Sequence, residues 1–322
     1  MQIVAVDIGG THARFVLAGI GPRGIELTGE PAILRTADHA GLREAWQAFA
    51  ATLGQAPPPR AAIAVATAVI GDEMPLTNGS WVIRRSTLAR DLGVDEVTVV
   101  NDFAAVAHAV ARVPAADLLP LAGPELPLPA DGVISIVGAG TGLGVAQLFR
   151  EAGRYHVLPT EGGHCSFAPQ DEFEDALLQR LRQRHARVSI ERVVSGPGLL
   201  AIYETVAALA GREALFIDDK ALWQAALAGS DALAAEALQR FCLCLGSAAG
   251  DFALAHGADA IVIAGGLGAR LRHHLPQSGF VARLVAKGRF EALLRSLPVK
   301  LIVHPQPGLY GAAAAFAVER PQ

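Results

Sequence analysis

Apolar positions along this chain follow two rhythms. Short, mainly apolar runs at Ile3 to Val6, Ala61 to Val65, Val97 to Val100, Val133 to Val137 and Ala260 to Ala264 have the length and composition of buried strands. Ala13 to Ala18, Ile25 to Thr28, Val145 to Phe149, Tyr155 to Leu158 and Leu301 to Val303 read as further strands. Between them, apolar residues return every three or four positions. Leu42, Ala45, Trp46, Phe49 and Leu53 predict a helix within residues 39 to 53, ended by the prolines at 57 to 59. The same spacing predicts helices over residues 86 to 92, NDFAAVAHAVARV, Glu172 to Arg184, residues 231 to 256, GGLGARL and the terminal GLYGAAAAFAVER. SGPGLLAIYETVAAL predicts another, with Ser195 as its cap and proline in its first turn. Pro114, Pro120, Pro124, Pro127 and Pro129 predict a loop that separates two lobes.

Strands gather at the start of each half and then alternate with helices, the pattern of an internally duplicated α/β fold without a short-period repeat. A chain of 322 residues is long for one domain and natural for two lobes. The balance of 52% apolar to 18% charged residues suits large buried sheets in a soluble protein. The formal net charge of −4 argues against nucleic acid or an acidic membrane held by bulk charge, and Arg84-Arg85 and Arg180 to Arg187 read as solvated faces.

The cysteine count is low and odd, Cys165, Cys242 and Cys244, which fits a reducing compartment. Cys242 and Cys244 lie in the apolar stretch FCLCLGSAAG and read as buried thiols, with no further ligands nearby for a metal. Met1 leads straight into a strand-like run, without the charged and apolar regions of a signal peptide. Gly132 to Phe149 is uncharged but carries five glycines and strand-like alternation, unlike a spanning helix. A cytoplasmic protein is expected.

Two glycine turns carry the first chemical signal. VDIGGTHAR and VGAGTGLGVA each run from an apolar strand through glycine and threonine into another apolar strand. A single glycine can be explained by the need for positive φ. Paired glycines with threonine, once in each half, fit better a concave surface of bare amides and a hydroxyl for phosphate. Residues 138 to 144 do not fit G-x-G-x-x-G, a strand follows where a dinucleotide fold needs a helix, and no P-loop occurs. The expectation is therefore two hairpin turns that grip one polyphosphate from opposite walls. Asp7, before the first turn, either makes local turn hydrogen bonds or holds a Mg²⁺-bound water or orients the phosphates. IVIAGGLGARL adds Gly265-Gly266 between a strand and a helix, where small residues also ease packing.

The second signal is a set of polar residues. Asn101-Asp102 ends a strand at the mouth of a helix, where an aspartate is either an N-cap or, at the carboxyl end of a strand, a ligand-facing group. PTEGGHCSFAP sets Glu161 and His164 around a glycine pair, and SIERVVSGPG supplies Glu191, which alone reads as a surface residue. Zinc at His164 and Cys165 lacks further ligands, so no metal centre is expected. Asn, Asp, Glu and His are side chains that hydrogen-bond a polyol.

With DIGGT, LTNGSW, NDF, GAGTGLGVA, EGGHCSFAP, ERVVSGPG, IAGG and PGLYGA in this order, the chain resembles the bacterial glucokinase family of the hexokinase/actin-like superfamily, nearly end to end. The resemblance implies a duplicated actin-like, ribonuclease H-like two-lobe hexokinase fold. Residues 1–112, completed by a C-terminal helix at 304–322, would form a small α/β lobe, and 113–303 a large α+β lobe. It implies ATP and Mg²⁺ across a cleft, with phosphates near Val6, Asp7, Ile8, Gly9, Gly10 and Thr11 and near Gly140, Thr141 and Gly142. Gly265 and Gly266 would lie toward the adenosine. Asn101, Asp102, Glu161, His164 and Glu191 fall at the family's sugar positions, with Asp102 as catalytic base, and family members are commonly homodimers. His12, Val6 and Ala68 depart from the family's frequent residues but leave these ligands in place. The chain also lacks the cysteine-rich zinc motif and the N-terminal DNA-binding segment of related sugar-responsive repressors.

The expected reaction is phosphorylation of the 6-hydroxyl of glucose by MgATP. Asp102 would accept the hydroxyl's proton, glycine-turn amides and Mg²⁺ would stabilise the transferred group, and lobe closure would exclude water. An actin- or chaperone-like ATP-binding protein would share the nucleotide motifs but not need the Asn101-Asp102, Glu161, His164 and Glu191 set. The sequence is equally compatible with a kinase of another sugar, such as N-acetylmannosamine or fructose, and with polyphosphate as donor.

Overall fold

A computed structural model describes residues 1–22, 24–76 and 79–320. Thr77 and Asn78 of the LTNGSW motif lie outside the described residues. The chain forms two compact units, Met1–Pro114 with His304–Gln322, and Ala115–Val303.

The first unit is built on a five-stranded sheet ordered β3-β2-β1-β4-β7. Its strands and helices are β1 (Gln2–Ile8), β2 (His12–Gly21), β3 (Gly24–Arg35), α1 (Leu42–Thr52), β4 (Arg60–Val65), β5 (Glu73–Pro75), β6 (Val82–Arg84), α2 (Arg85–Leu92), β7 (Glu96–Asn101) and α3 (Asp102–Arg112). β1 pairs antiparallel with β2 and parallel with β4, and β4 continues parallel to β7. β1 is apolar without alternation because both of its faces are covered. Val4, Val6 and Ile8 pack with Phe15, Trp46 and Phe49 on one side. Ile3 and Ala5 meet Ala105, Leu309, Ala313 and Phe316 on the other. Leu309, Ala313 and Phe316 belong to the C-terminal helix Pro307–Glu319, which returns to this unit beside α3. A Cβ on its Gly311 would drive into the Ala105 backbone, so glycine sets the approach of the two helices.

The second unit repeats the plan. It contains β8 (Leu118–Ala122), β9 (Gly132–Ala139), β10 (Leu143–Glu151), β11 (Arg154–Thr160), α4 (Glu172–Arg182), α5 (Gly196–Leu209), α6 (Asp219–Ala228), α7 (Ala232–His256), β12 (Ala260–Ala264), α8 (Gly265–Arg270), α9 (Phe280–Val285), α10 (Glu291–Ser296) and β13 (Val299–Ile302). The sheet order is β11-β10-β9-β12-β13-β8. Its first five positions reproduce the first unit: an antiparallel meander at one side and two parallel steps at the other. The duplication expected from the strand pattern is thus visible in the topology.

The proline-rich stretch departs from its expected loop. Ala115–Asp117 is a 3-10 turn and Leu118–Ala122 is an edge strand antiparallel to β13. Pro120 is tolerated there because it stands at a sheet edge beside the register shift between Val299 and Lys300. Cys242 and Cys244 are buried in α7, where loss of solvent pushes both thiols up, Cys242 to about 11. No helix among the described residues is long and apolar enough to cross a membrane.

Candidate functional site

Parallel pairing decides which residues share an edge. In the first unit Ile8 lies opposite Val65, and Val65 opposite Asn101, so β1, β4 and β7 end together. Asp7, Gly9, Gly10, Thr11, Asn101 and Asp102 therefore stand along one carboxyl edge, the usual ligand edge of an α/β sheet. In the second unit Ala264 lies opposite Gly138, which puts the turn at Gly140-Thr141-Gly142 beside Gly265-Gly266 on the corresponding edge.

The first glycine turn closes the β1–β2 hairpin through the Gly9 amide, which donates to the His12 carbonyl at 2.9 Å. Thr36, buried at the end of β3, fixes the turn's oxygens. Its hydroxyl donates to the Gly10 carbonyl at 2.8 Å and its amide to the Thr11 carbonyl at 3.0 Å. Gly9 and Gly10 avoid the left-handed region, so positive φ does not explain them. Val6 and Ile8 are fully buried, backbone included, and shape the strand beneath rather than offer a surface. Asp7 is half-buried, with Arg14 Nη1 at 3.3 Å. Burial raises its pKa, and the Arg14 charge and hydrogen bond oppose that shift. A Cβ on Gly308, in the first turn of the C-terminal helix, would come within 2.9 Å of the Asp7 carboxylate.

The mouth of α3 separates the two adjacent polar residues. Asn101 is the N-cap: its Oδ1 accepts from the amides of Phe103 at 2.9 Å and Ala104 at 3.1 Å, and its Nδ2 donates to the Thr67 carbonyl at 3.1 Å. Asp102 occupies the first helical position, and its Oδ1 accepts from Phe103 N at 2.8 Å. The capping role thus belongs to Asn101, where the sequence had offered it to Asp102.

The second glycine turn closes the β9–β10 hairpin, Gly140 N to Gly142 O at 2.8 Å, without left-handed glycines. A Cβ on Gly140 would meet nothing within 4 Å. Neither backbone conformation nor packing requires glycine there, whereas a ligand approaching the bare backbone would. Gly266 is open in the same way. Gly265 differs: its φ is +82° and a Cβ would run into the Ala139 carbonyl, so it is a packing residue.

Glu161, His164 and Glu191 come together in the second unit. His164 Nε2 lies 3.8 Å from Glu161 Oε2, and its Nδ1 lies 3.9 Å from Glu191 Oε1. Glu161 and His164 are exposed. Glu191 is half-buried rather than a free surface residue, and its Oε2 accepts from Leu143 N at 2.9 Å. Among the described residues no cluster of three or more His, Cys, Asp or Glu side chains has the arrangement of a metal site.

Thr36, Arg14, Gly308 and Leu143 were not singled out from the sequence. Thr36 and Leu143 act largely through backbone groups or one hydroxyl, which leave no residue-type signature. Gly308 lies in the PGLYGA motif, where its glycine was a usable signal of close approach.

A family model described as glucokinase matches residues 4–319. The glucokinase of Zymomonas mobilis is 55% identical over 317 residues, covering 98% of each chain. The crystal structure of a glucokinase from an Antarctic psychrotroph superposes with a TM-score of 0.84 at 34% identity, over 97% of this chain and 98% of that one. A ROK family glucokinase from Streptomyces griseus, solved in complex with glucose and AMPPNP, shares the fold at a TM-score of 0.63 and 18% identity, over 97% and 98% of the two chains. With two equivalent strand edges, a glycine turn on each, and a family match across almost its whole length, the chain belongs to the glucokinase family.

Proposed function

We propose that this chain transfers the γ-phosphoryl group of ATP to the 6-hydroxyl of glucose, giving glucose 6-phosphate and ADP at the entry to glycolysis. Family membership supports the activity. The observation that carries the residue assignments is the gathering of Glu161, His164 and Glu191 around one imidazole, hung on the second glycine turn.

Glucose is held by Glu161, His164 and Glu191 and by Asn101 and Asp102. Asn101 contributes its second amide N–H, since its other polar groups serve the α3 cap and Thr67. Asp102 accepts the proton of the 6-hydroxyl as that oxygen attacks the γ-phosphorus, and the electron pair of the breaking P–O bond leaves with ADP. The phosphates lie against Gly9, Gly10 and Thr11 and against Gly140, Thr141 and Gly142; the Gly9 and Gly140 amides close the hairpins, and those of Gly10, Thr11, Thr141 and Gly142 stabilise the charge of the transferred group. Gly266 lies toward the adenosine, with Gly265 shaping the backbone behind it.

The donor set also fits Mg²⁺ carried in by ATP, because this ion takes one or two carboxylates and otherwise keeps phosphate and water ligands. Asp7 is the carboxylate placed for it, directly or through water, and the ion's chemistry is neutralisation of phosphate charge. In this reading the two units serve as the small and large lobes of one enzyme. It is a cytoplasmic homodimer, as the family resemblance implies.

A coupled assay with a panel of hexoses and donors tests the function. Expected is ATP-dependent turnover with glucose at a kcat/KM above that of fructose, mannose and N-acetylmannosamine, abolished by EDTA. Preference for another hexose would reassign the acceptor, and equal rates with polyphosphate would reassign the donor. ATP hydrolysis indifferent to every sugar would favour a chaperone-like ATPase.

A further inference from the structure

Three of the sequence motifs meet at Leu143. Its amide donates to Oε2 of Glu191 at 2.9 Å, and its carbonyl lies so close to Gly163 that a Cβ there would run into it. Gly142, one residue earlier, faces the same carboxylate, and a methyl group on it would overlap Glu191 Oε2. The other oxygen of Glu191 is the one 3.9 Å from His164 Nδ1. On the far side of the turn, the Gly196 amide donates to the Gly140 carbonyl at 2.8 Å, tying the turn to the segment that follows Glu191. The turn and the carboxylate thus share one framework.

We propose that the Gly140-Thr141-Gly142 turn is a positioning element for Glu191, so that the element that receives phosphate also sets the geometry of sugar recognition. This rests on the sugar and phosphate assignments made above. Glu191 sits on the 3-10 turn Ile190–Arg192 and reaches its partners through a flexible stem. The Leu143 amide selects one orientation of that stem by a charge-assisted hydrogen bond, and the bare face of Gly142 leaves room for it. Sugar bound at Glu191 then orders the turn, and phosphate on the turn holds Glu191. Linkage makes this coupling reciprocal, each ligand raising the affinity of the other by the same factor.

Gly142→Ala tests the proposal. The residue is outside the left-handed region, and the atom its methyl meets is the end of a flexible side chain, so the fold survives and the carboxylate swings away. Glucose Kd is measured by calorimetry without nucleotide. The expected result is a rise of about tenfold, the scale of losing one hydrogen bond to a charged group. In a Glu191→Ala background the same change adds nothing to the glucose Kd. Hydrogen exchange in the wild-type chain supplies a reading that needs no variant: glucose alone slows exchange at the Leu143 amide. Unchanged glucose affinity in Gly142→Ala, additivity with Glu191→Ala, or unchanged exchange at Leu143 each overturns the proposal. A wild-type chain that does not bind glucose refutes the function itself, whereas wild-type binding with an unaffected variant refutes only the coupling.

Discussion

Replacing Asp102 by asparagine separates chemistry from scaffolding at the mouth of α3. The helix cap is made by Asn101, through the Phe103 and Ala104 amides at 2.9 and 3.1 Å. The described backbone contact of Asp102 is with Phe103 N at 2.8 Å, and an asparagine oxygen accepts that bond equally well. At the α3 junction the stability cost of Asp102→Asn is therefore below ~1 kcal/mol, the net worth of one hydrogen bond. In a chain of this size that is under ~4 °C in Tm. The chemical cost is much larger, because an amide cannot take the proton of the 6-hydroxyl. Loss of a general base lowers kcat by ~10²–10⁴-fold, or ~3–5 kcal/mol in the barrier. Turnover is followed at saturating glucose and MgATP, glucose binding by tryptophan fluorescence, and Tm by calorimetry. Asn101→Ala is the matched control, expected to lose ~1 kcal/mol of capping stability. An Asp102→Asn variant within about threefold of wild-type turnover, less than 1 kcal/mol of barrier, would remove Asp102 from the chemistry. A larger fall in Tm than that of Asn101→Ala would show that the cap had been given to the wrong residue.

Gly140→Ala and Gly265→Ala should diverge although both lie in proposed nucleotide motifs. Gly140→Ala keeps the wild-type Tm and raises the ATP KM, since its methyl points into open space. Gly265→Ala loses ~1–2 kcal/mol from its left-handed backbone alone, and more from the Ala139 carbonyl, so equal Tm values for the two variants would refute the distinction. His164→Ala should raise the glucose KM at least several-fold, as a polar contact that bound sugar buries is worth ~1–3 kcal/mol. An unchanged glucose KM with a raised ATP KM would place His164 on the wrong ligand. Asp7→Asn should raise Tm at pH 7 while lowering activity, because burial lifts the folded-state pKa of Asp7 and its charge costs stability wherever it is ionised. That gain shrinks as pH falls through the raised pKa of Asp7 and is gone below its unfolded value of 3.8, so a gain that persists in acid would refute the linkage.

Much of the fold is legible in the sequence because the central strands are covered on both faces. β1, β4 and β12 carry unbroken apolar runs and β9 a run interrupted by Ser135 alone, and the hairpin turns between β1 and β2 and between β9 and β10 are marked by their glycines. Peripheral elements are less legible. β8 is hidden by its prolines, and β5 and β6 have three residues each, too few for a period to show. β3 runs to Arg35 rather than Thr28 because it is a half-exposed edge strand crossing Gly29-Glu30-Pro31. α6 is not marked by apolar spacing, although its cap signal is present, with Asp218 accepting from Ala221 N at 2.9 Å and left-handed Gly229 closing the helix. At the site, Asn101 and Asp102 have nearly equal capping propensity, so only the backbone decides between them.

Leu143 escapes a reading by residue type for a different reason. It contributes an amide and a carbonyl, which every residue except proline carries, so its place between the Glu191 carboxylate and Gly163 leaves no mark in its own side chain. The mark falls on its neighbours. Gly163 is bare because the Leu143 carbonyl stands against it, Gly142 because Glu191 does, Gly308 because Asp7 does, and Gly311 because the Ala105 backbone does. Each of these is explained by the protein's own packing. Gly140 and Gly266 are not: they have no neighbour within 4 Å of a Cβ and no left-handed backbone. Since glycine weakens a folded chain by widening its unfolded ensemble, an open glycine inside a ligand-facing motif fits a molecule lying against it. Gly21, at the β2–β3 turn, is open in the same way, but Gly140 and Gly266 lie together on one strand edge of the second unit, in the motifs proposed to meet phosphate and adenosine. They carry the nucleotide reading further than the glycine count of either motif.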